Sequence, residues 1–202
     1  MKTKIKLCGI KSHEDVAIMN QELPDYCGFI IDFPKSHRSL TKEVARELSK
    51  EVSSSITKVG VFVNSPVEDV IGLLNEGIID MAQLHGDEDE DYIFHVQQET
   101  KKPVMKAIIV RDEFDVFRAK ESPADYVLLD AGKGSGESFN WNLISDMDRE
   151  YFLAGGLDET NIKNAIDTLH PFAIDLSSSL ETNGDKDPKK VKMIMDIMSR
   201  IS

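Results

Sequence analysis

Short apolar runs rich in β-branched residues alternate along the whole chain with longer segments of helical spacing. The runs predict strands over Lys4–Cys8, Tyr26–Ile31, Lys58–Val63, Met81–His85, Val104–Val110, Tyr126–Asp130, Tyr151–Ala154 and Phe172–Leu176. Between them lie helix signals. Ser12-His13-Glu14-Asp15 has the spacing of a capping box, and Ser65-Pro66-Val67-Glu68 offers Ser at N-cap, Pro at N1 and Glu at N3. Thr41–Val52, Glu88–Thr100, Asp112–Ala119, Asn140–Met147, Thr160–Leu169 and Pro188–Ile201 bring the predicted helices to eight, the last with Asp187 as its N-cap. Strands that alternate with helices are joined by crossovers and therefore run parallel. An open doubly wound sheet is one solution. Eight near-equal units with no linker between them favour the other, an α/β fold in which residues 1–202 close one (β/α)8 barrel domain. At about 25 residues per unit such a barrel is near the lower size limit of the fold and should carry short loops.

A barrel of this kind places its chemistry at the C-terminal ends of its strands. Reading each run to its end gives Cys8, Asp32, Asn64, His85, Arg111, Asp130, Gly155-Gly156 and Ser177-Ser178, a ring of polar or anion-binding residues at equivalent positions. Gly155 and Gly156 follow the seventh run, where backbone N–H groups can approach an anion with no Cβ in the way. Ser177 and Ser178 follow the eighth, and the loops after these two strands commonly form a phosphate site. Asp130 ends an apolar run; partial desolvation there suits a general acid. Gly132-Lys133-Gly134-Ser135-Gly136 lacks the GK[ST] ending of a P-loop and reads as a lid over the pocket. Cys8 stands where a strand opens into a glycine turn. As a thiolate it could take a proton from carbon or act as a nucleophile, whereas most free cysteines are small buried hydrophobes.

Composition narrows the partners. The net charge is −12, from 36 acidic and 24 basic residues, which disfavours a nucleic-acid surface and leaves any anionic substrate to local dipoles and a few cations. Asp87 to Asp91 reads as a solvated, acidic helix start. The two cysteines, Cys8 and Cys27, make neither a disulfide framework nor a zinc site, and Cys27 reads as structural. No apolar stretch approaches the length of a membrane span, and no signal peptide is visible, so a cytoplasmic protein is expected.

Taken in order, Lys6-Leu7-Cys8-Gly9-Ile10, Gly60-Val61-Phe62-Val63-Asn64, Gln83-Leu84-His85-Gly86, Leu128-Leu129-Asp130, Gly134-Ser135-Gly136 with Phe139-Asn140-Trp141, Leu153-Ala154-Gly155-Gly156-Leu157, Asp175-Leu176-Ser177-Ser178, Glu181 and Gly184-Asp185-Lys186-Asp187 span nearly the whole chain. This succession resembles the phosphoribosylanthranilate isomerase family of (β/α)8 enzymes in tryptophan biosynthesis. The resemblance implies an Amadori rearrangement of N-(5′-phosphoribosyl)anthranilate, a phosphosugar, with neither metal nor organic cofactor. It implies that Asp130 protonates the furanose oxygen and that Cys8 then removes the proton from C2′ as a base. It also implies that Arg38 pairs with the anthranilate carboxylate and that Gly155, Gly156, Ser177 and Ser178 hold the phosphate. Gln83, His85 and Asp175 would be contacts or supports. A monomer or homodimer is expected, with no nucleic-acid or membrane partner. The chain departs from the family at Ser179 and Leu180, where Gly and Val are usual. A positive φ at Ser179 would cost about 1 kcal/mol. A metal-dependent pentulose-phosphate epimerase is the competing enzyme, but it would want two His and two Asp at the mouth. A phosphate-binding barrel without catalysis is the non-enzyme alternative.

Overall fold

The computed structural model describes residues 2–130 and 141–201. Eight parallel strands close a ring in chain order: β1 (Lys4–Cys8), β2 (Tyr26–Ile31), β3 (Thr57–Phe62), β4 (Met81–Leu84), β5 (Val104–Ile109), β6 (Tyr126–Asp130), β7 (Tyr151–Ala154) and β8 (Ala173–Leu176). The ring is shut by β1, where Lys6 lies opposite Tyr26 of β2 on one side and Asp175 of β8 on the other. A two-residue strand, Ser39–Leu40, adds to β2, and Glu181–Thr182 pairs with Asp185–Lys186 in a small hairpin after β8. The closed ring makes the fold a (β/α)8 barrel and not the doubly wound alternative.

Among the described residues seven α-helices surround the strands: α1 (His13–Glu22), α2 (Lys42–Ser49), α3 (Val67–Asn75), α4 (Glu90–Thr100), α5 (Glu113–Glu121), α6 (Ile162–Leu169) and α7 (Pro188–Arg200). Several starts follow the capping signals. Ser12 Oγ accepts from the Asp15 amide at 3.1 Å, and Asp187 caps α7 with Pro188 in its first turn. Two expectations fail. Ser65 does not cap α3: Pro66 has ψ 133°, helical geometry starts at Val67, and the Ser65 carbonyl instead accepts the Tyr92 hydroxyl at 3.0 Å. The helix expected over Asn140–Met147 is, among the described residues, a single 3₁₀ turn at Trp141–Ile144. Arg149 is pinned to the end of α5 by bonds to the Ser122 and Ala124 carbonyls, at 2.7 and 2.5 Å. Too few residues lie between the turn and this anchor to repay helix nucleation.

The core has two layers because strand side chains alternate. Outward residues such as Leu7, Phe29, Phe62, Leu84 and Leu153 pack against the helices. Inward residues fill the barrel, and near the strand starts they form an aromatic plug. Phe152 meets Tyr26 edge-on at 5.2 Å, and Tyr126 stacks on Phe172 at the same distance. With that end sealed by apolar groups, the polar inward residues are left at the other.

Candidate active site

A cavity of ≈ 360 Å³ opens at the C-terminal ends of the strands, lined by Cys8, Arg38, Gln83, His85, Asp130, Gly155, Gly156, Asp175, Ser177 and Ser178. The residues to which the family resemblance gives roles therefore all line one space. Ile30, Val61 and Ile109 add apolar wall. A cavity of ≈ 370 Å³ at the other end of the barrel is lined by residues such as Lys2, Lys4, Leu23 and Met195, and has no thiol, imidazole or glycine loop.

Cys8 points inward from the end of β1 and is buried, as is Lys6 one inward position below it. Burial pushes the Cys8 thiol up, and the Lys6 and Lys186 ammonium groups work against that. Lys6 is wholly buried and donates to Asp175 Oδ2 at 2.9 Å. Burial alone would pull it down, but Asp175 and Cys8 offset this and hold it raised, as a cation. The thiol has room because its neighbour on β2 is Gly28: a Cβ there would stand 2.7 Å from Cys8 Sγ. Gly28→Ala should therefore displace the thiol and lower activity at least tenfold, with only modest loss of stability. Wild-type turnover in that variant would show that Cys8 tolerates displacement.

Across the mouth, Gln83 Nε2 is 3.1 Å from His85 Nδ1, and His85 Nε2 is 3.7 Å from Asp130 Oδ2. With Gln83 donating to Nδ1, a neutral imidazole carries its proton on Nε2, the nitrogen facing the acid. In the ring, β1 and β6 are separated by two strands on one side and four on the other, so Cys8 and Asp130 approach the cavity from different walls.

The glycine loop after β7 is left-handed at both Gly155 (φ 90°) and Gly156 (φ 64°). A Cβ at Gly156 would meet nothing within 4 Å, so it is backbone conformation that requires glycine there. Asn161 donates to the Gly156 carbonyl at 2.8 Å and accepts the Asp158 amide at 3.0 Å, which stiffens the loop. After β8, Ser177 Oγ donates to the Cys8 carbonyl at 3.1 Å, and Ser178–Leu180 form one 3₁₀ turn. Ser179 is not among the residues with positive φ, so its replacement of the family's usual glycine costs no backbone strain. Its buried hydroxyl has no partner among the described residues.

Arg38 is held by Glu181, which accepts from Nε at 2.5 Å and from Nη2 at 2.7 Å. Lys186 donates to the same carboxylate at 2.9 Å and to the Ser177 carbonyl at 3.0 Å. Burial would push Glu181 up, but the bonds from Arg38 and Lys186 outweigh it and hold the carboxyl at about 2. A depressed carboxylate contributes stability that is complete above its unfolded pKa of about 4.3 and lost as pH falls through the folded value. Glu181→Gln should thus lower Tm by a few degrees at pH 7. The gap to wild type should close as pH drops from about 4.5 toward 2. A gap that stayed constant with pH would rule out the charged clasp.

The ring of strand ends is less uniform than the sequence suggests. Asp32 (φ 50°) and Asn64 (φ 53°) take left-handed conformations, and neither lines the cavity. Asp32 lies 3.9 Å from Lys42, and Asn64 Oδ1 accepts the Asp87 amide. Arg111 is spent on Asp115 at 3.0 Å. The acidic run is not wholly solvated either: Glu88 is buried, accepts the Asn64 and Gly86 amides at 2.7 and 2.9 Å, and pairs with Lys106 at 2.9 Å. Cys27 is buried in the outer layer, its thiol pushed up to about 12, as suits a structural residue. Sequence reading missed Lys6, although the alternation Lys4-Ile5-Lys6-Leu7-Cys8 already puts Lys6 and Cys8 on one face. The expected lid over Gly132 to Gly136 lies outside the described residues.

Fold and cavity together define a barrel enzyme of the (β/α)8 class, with its polar groups gathered at one mouth. A family model, described as N-(5′-phosphoribosyl)anthranilate (PRA) isomerase, matches residues 5–197. The N-(5′-phosphoribosyl)anthranilate isomerase of Endomicrobium trichonymphae is 40% identical over 193 residues, covering 93% of this chain and 94% of that protein. The crystal structure of phosphoribosyl anthranilate isomerase from Thermotoga maritima superposes with TM-score 0.86 at 34% identity, over 98% of this chain and 99% of that one. A structure of such an isomerase in complex with reduced 1-(o-carboxyphenylamino)-1-deoxyribulose 5-phosphate superposes equally well, with TM-score 0.86 at 33% identity and the same coverage, 98% and 99%. The chain belongs to the N-(5′-phosphoribosyl)anthranilate isomerase family.

Proposed function

We propose that this chain converts N-(5′-phosphoribosyl)anthranilate to 1-(2-carboxyphenylamino)-1-deoxyribulose 5-phosphate in tryptophan biosynthesis, with Asp130 as general acid and Cys8 as general base. The observation that carries this reading is the convergence of an inward thiol, a carboxyl on a different wall and a glycine loop on one ≈ 360 Å³ cavity. Asp130 gives a proton to the ring oxygen; the C1′–O bond breaks and the nitrogen lone pair forms a protonated imine. The Cys8 thiolate then takes the C2′ proton. The C–H pair becomes the C1′–C2′ double bond, and the imine pair returns to nitrogen. Ketonisation puts one proton on C1′ and takes one from the 2′-oxygen, which can restore both side chains with no net proton change.

The phosphate sits against Gly155, Gly156, Ser177 and Ser178, where loop amides and a 3₁₀ turn start supply donors without a full charge. The Ser179 hydroxyl is a further donor at that loop. Arg38 takes the anthranilate carboxylate through Nη1, since Nε and Nη2 already serve Glu181. Gln83 and His85 orient Asp130, and Asp175 supports β1 from below the phosphate loop. No group of three or more His, Cys, Asp or Glu is placed to hold a metal ion among the described residues. None of their helices is long and apolar enough to cross a membrane. The small phosphosugar is the expected partner, the cytoplasm the expected compartment, and a monomer or homodimer the expected state.

Because the anthranilate substrate is fluorescent, its consumption by the purified protein tests the reading. Turnover in the presence of EDTA is expected, and its absence would favour a binding barrel without catalysis. Arg38→Ala should raise KM about 10–100-fold with a smaller change in kcat, the signature of lost uniform binding. An unchanged KM would contradict the carboxylate assignment.

A further inference from the structure

We propose that Lys6 is a positioning residue for this reaction: fixed beneath Cys8 by Asp175, its ammonium stabilises the thiolate that accepts the substrate proton. The inference rests on the assignment of Cys8 as base and adds the group that makes a buried thiol competent for it.

Lysine is almost never fully buried without a specific partner, and Lys6 is among the largest fully buried side chains here. It occupies an inward position of β1, the same face as Cys8 and one inward step away. Its register partner across the closing strand pair is Asp175, whose Oδ2 accepts a hydrogen bond from the Lys6 ammonium at 2.9 Å. Asp175 Oδ1 has no partner among the described residues, so this is not a self-contained ion pair with every site filled. Met81 and Met105 are unbranched apolar side chains buried in the barrel interior, so packing alone does not call for a charge at this position.

Cys8 provides the reason. Burial favours the neutral thiol, and only a thiolate can take a proton from carbon. The charged groups that act on it are Lys6 from β1, Asp175 from β8, Lys186 from the hairpin after β8, and Arg38 from the loop after β2. His85 and Asp130 share the cavity, and Cys27 is the neighbouring thiol of β2. Asp175 opposes the thiolate. Arg38 and Lys186 are largely committed to Glu181. Lys6 is the strongest of the charged groups that favour the thiolate, and it stands on the same face of the same strand, one inward step below the sulfur. When Cys8 accepts the C2′ proton, thiolate and protonated imine are neutralised together, while Lys6 keeps all its protons and remains paired with Asp175.

The test is Lys6→Met, read by the pH dependence of Cys8 alkylation with iodoacetamide, followed by mass spectrometry of the Cys8 peptide, and by the pH profile of kcat/KM. Expected is an upward shift of the alkylation midpoint by one unit or more. With it, kcat/KM at pH 7 should fall tenfold or more and recover as pH rises, with KM little changed. If the single variant does not fold because Asp175 is left unpaired, Lys6→Gln/Asp175→Asn preserves the hydrogen bonding without charge. Its midpoint should move in the same direction by a smaller amount, because the charge of Asp175, which opposes the thiolate, is removed as well. An unmoved midpoint in the folded variant overturns the role of Lys6. A midpoint that moves while the kcat/KM profile stays fixed overturns the proposal in a different way, by removing Cys8 from the rate-determining proton transfer.

Discussion

Asp130→Asn is expected to lower kcat about 10²–10⁴-fold, the usual contribution of a positioned general acid. Asn matches Asp in shape and stays polar beside His85, whose Nε2 is 3.7 Å from Asp130 Oδ2, so the fold and Tm should change little. What it lacks is a proton acidic enough to reach the furanose oxygen as the C1′–O bond breaks. KM should stay within a few-fold of wild type, because the phosphate and carboxylate ends of the substrate are held elsewhere. A variant with normal kcat and a raised KM would recast Asp130 as a binding residue.

The second large effect is expected for Cys8→Ser, again about 10²–10⁴-fold in kcat/KM. Serine fits where cysteine does, beside Gly28, and Cys8 is only 7% exposed, so packing is nearly unchanged. The hydroxyl is far less acidic than a thiol, and no neighbouring cation will make it an alkoxide near neutral pH. Since burial pushes the Cys8 thiol up, wild-type kcat/KM should rise with pH through and above neutrality, and this limb should be absent from the serine variant. A substrate deuterated at C2′ gives an independent reading: the primary isotope effect should be larger in Cys8→Ser than in wild type. Activity within about threefold of wild type would remove Cys8 from its role.

Much of this architecture is legible in the chain itself. Strands buried on both faces read as short apolar runs, and their predicted limits agree with the observed ones to within about two residues. Strand ends such as Cys8, His85 and Asp130 mark the mouth because parallel strands all finish there. Other features depend on partners far away in sequence. Arg38 sits in a loop without periodicity, placed by a carboxylate 143 residues later, and only the family resemblance picked it out. Glu88 looked solvated amid other acids because its partner, Lys106, is a residue of the next strand. Trp141 to Met147 has a helical composition, but the anchor at Arg149 limits it to a turn. Positive φ at Asp32 and Asn64, neither of which lines the cavity, has no signature in an apolar pattern.

The closing pair of strands also bears on when the protein becomes an enzyme. Lys6 meets Asp175 across 169 residues of chain, and Arg38 and Ser177 are tied to their partners over comparable separations, 143 and 169 residues. During synthesis the segment carrying the thiol leaves the ribosome first and must wait for nearly the whole remaining chain before its electrostatic surroundings exist. Such long-range pairing is slow to form, because loop-closure entropy is lost before the contacts are gained. Until then Lys6 and Cys8 stay hydrated, with an ordinary ammonium and an ordinary thiol. Catalytic competence and completion of the barrel therefore coincide, and a chain stalled short of β8 has the base without its chemistry.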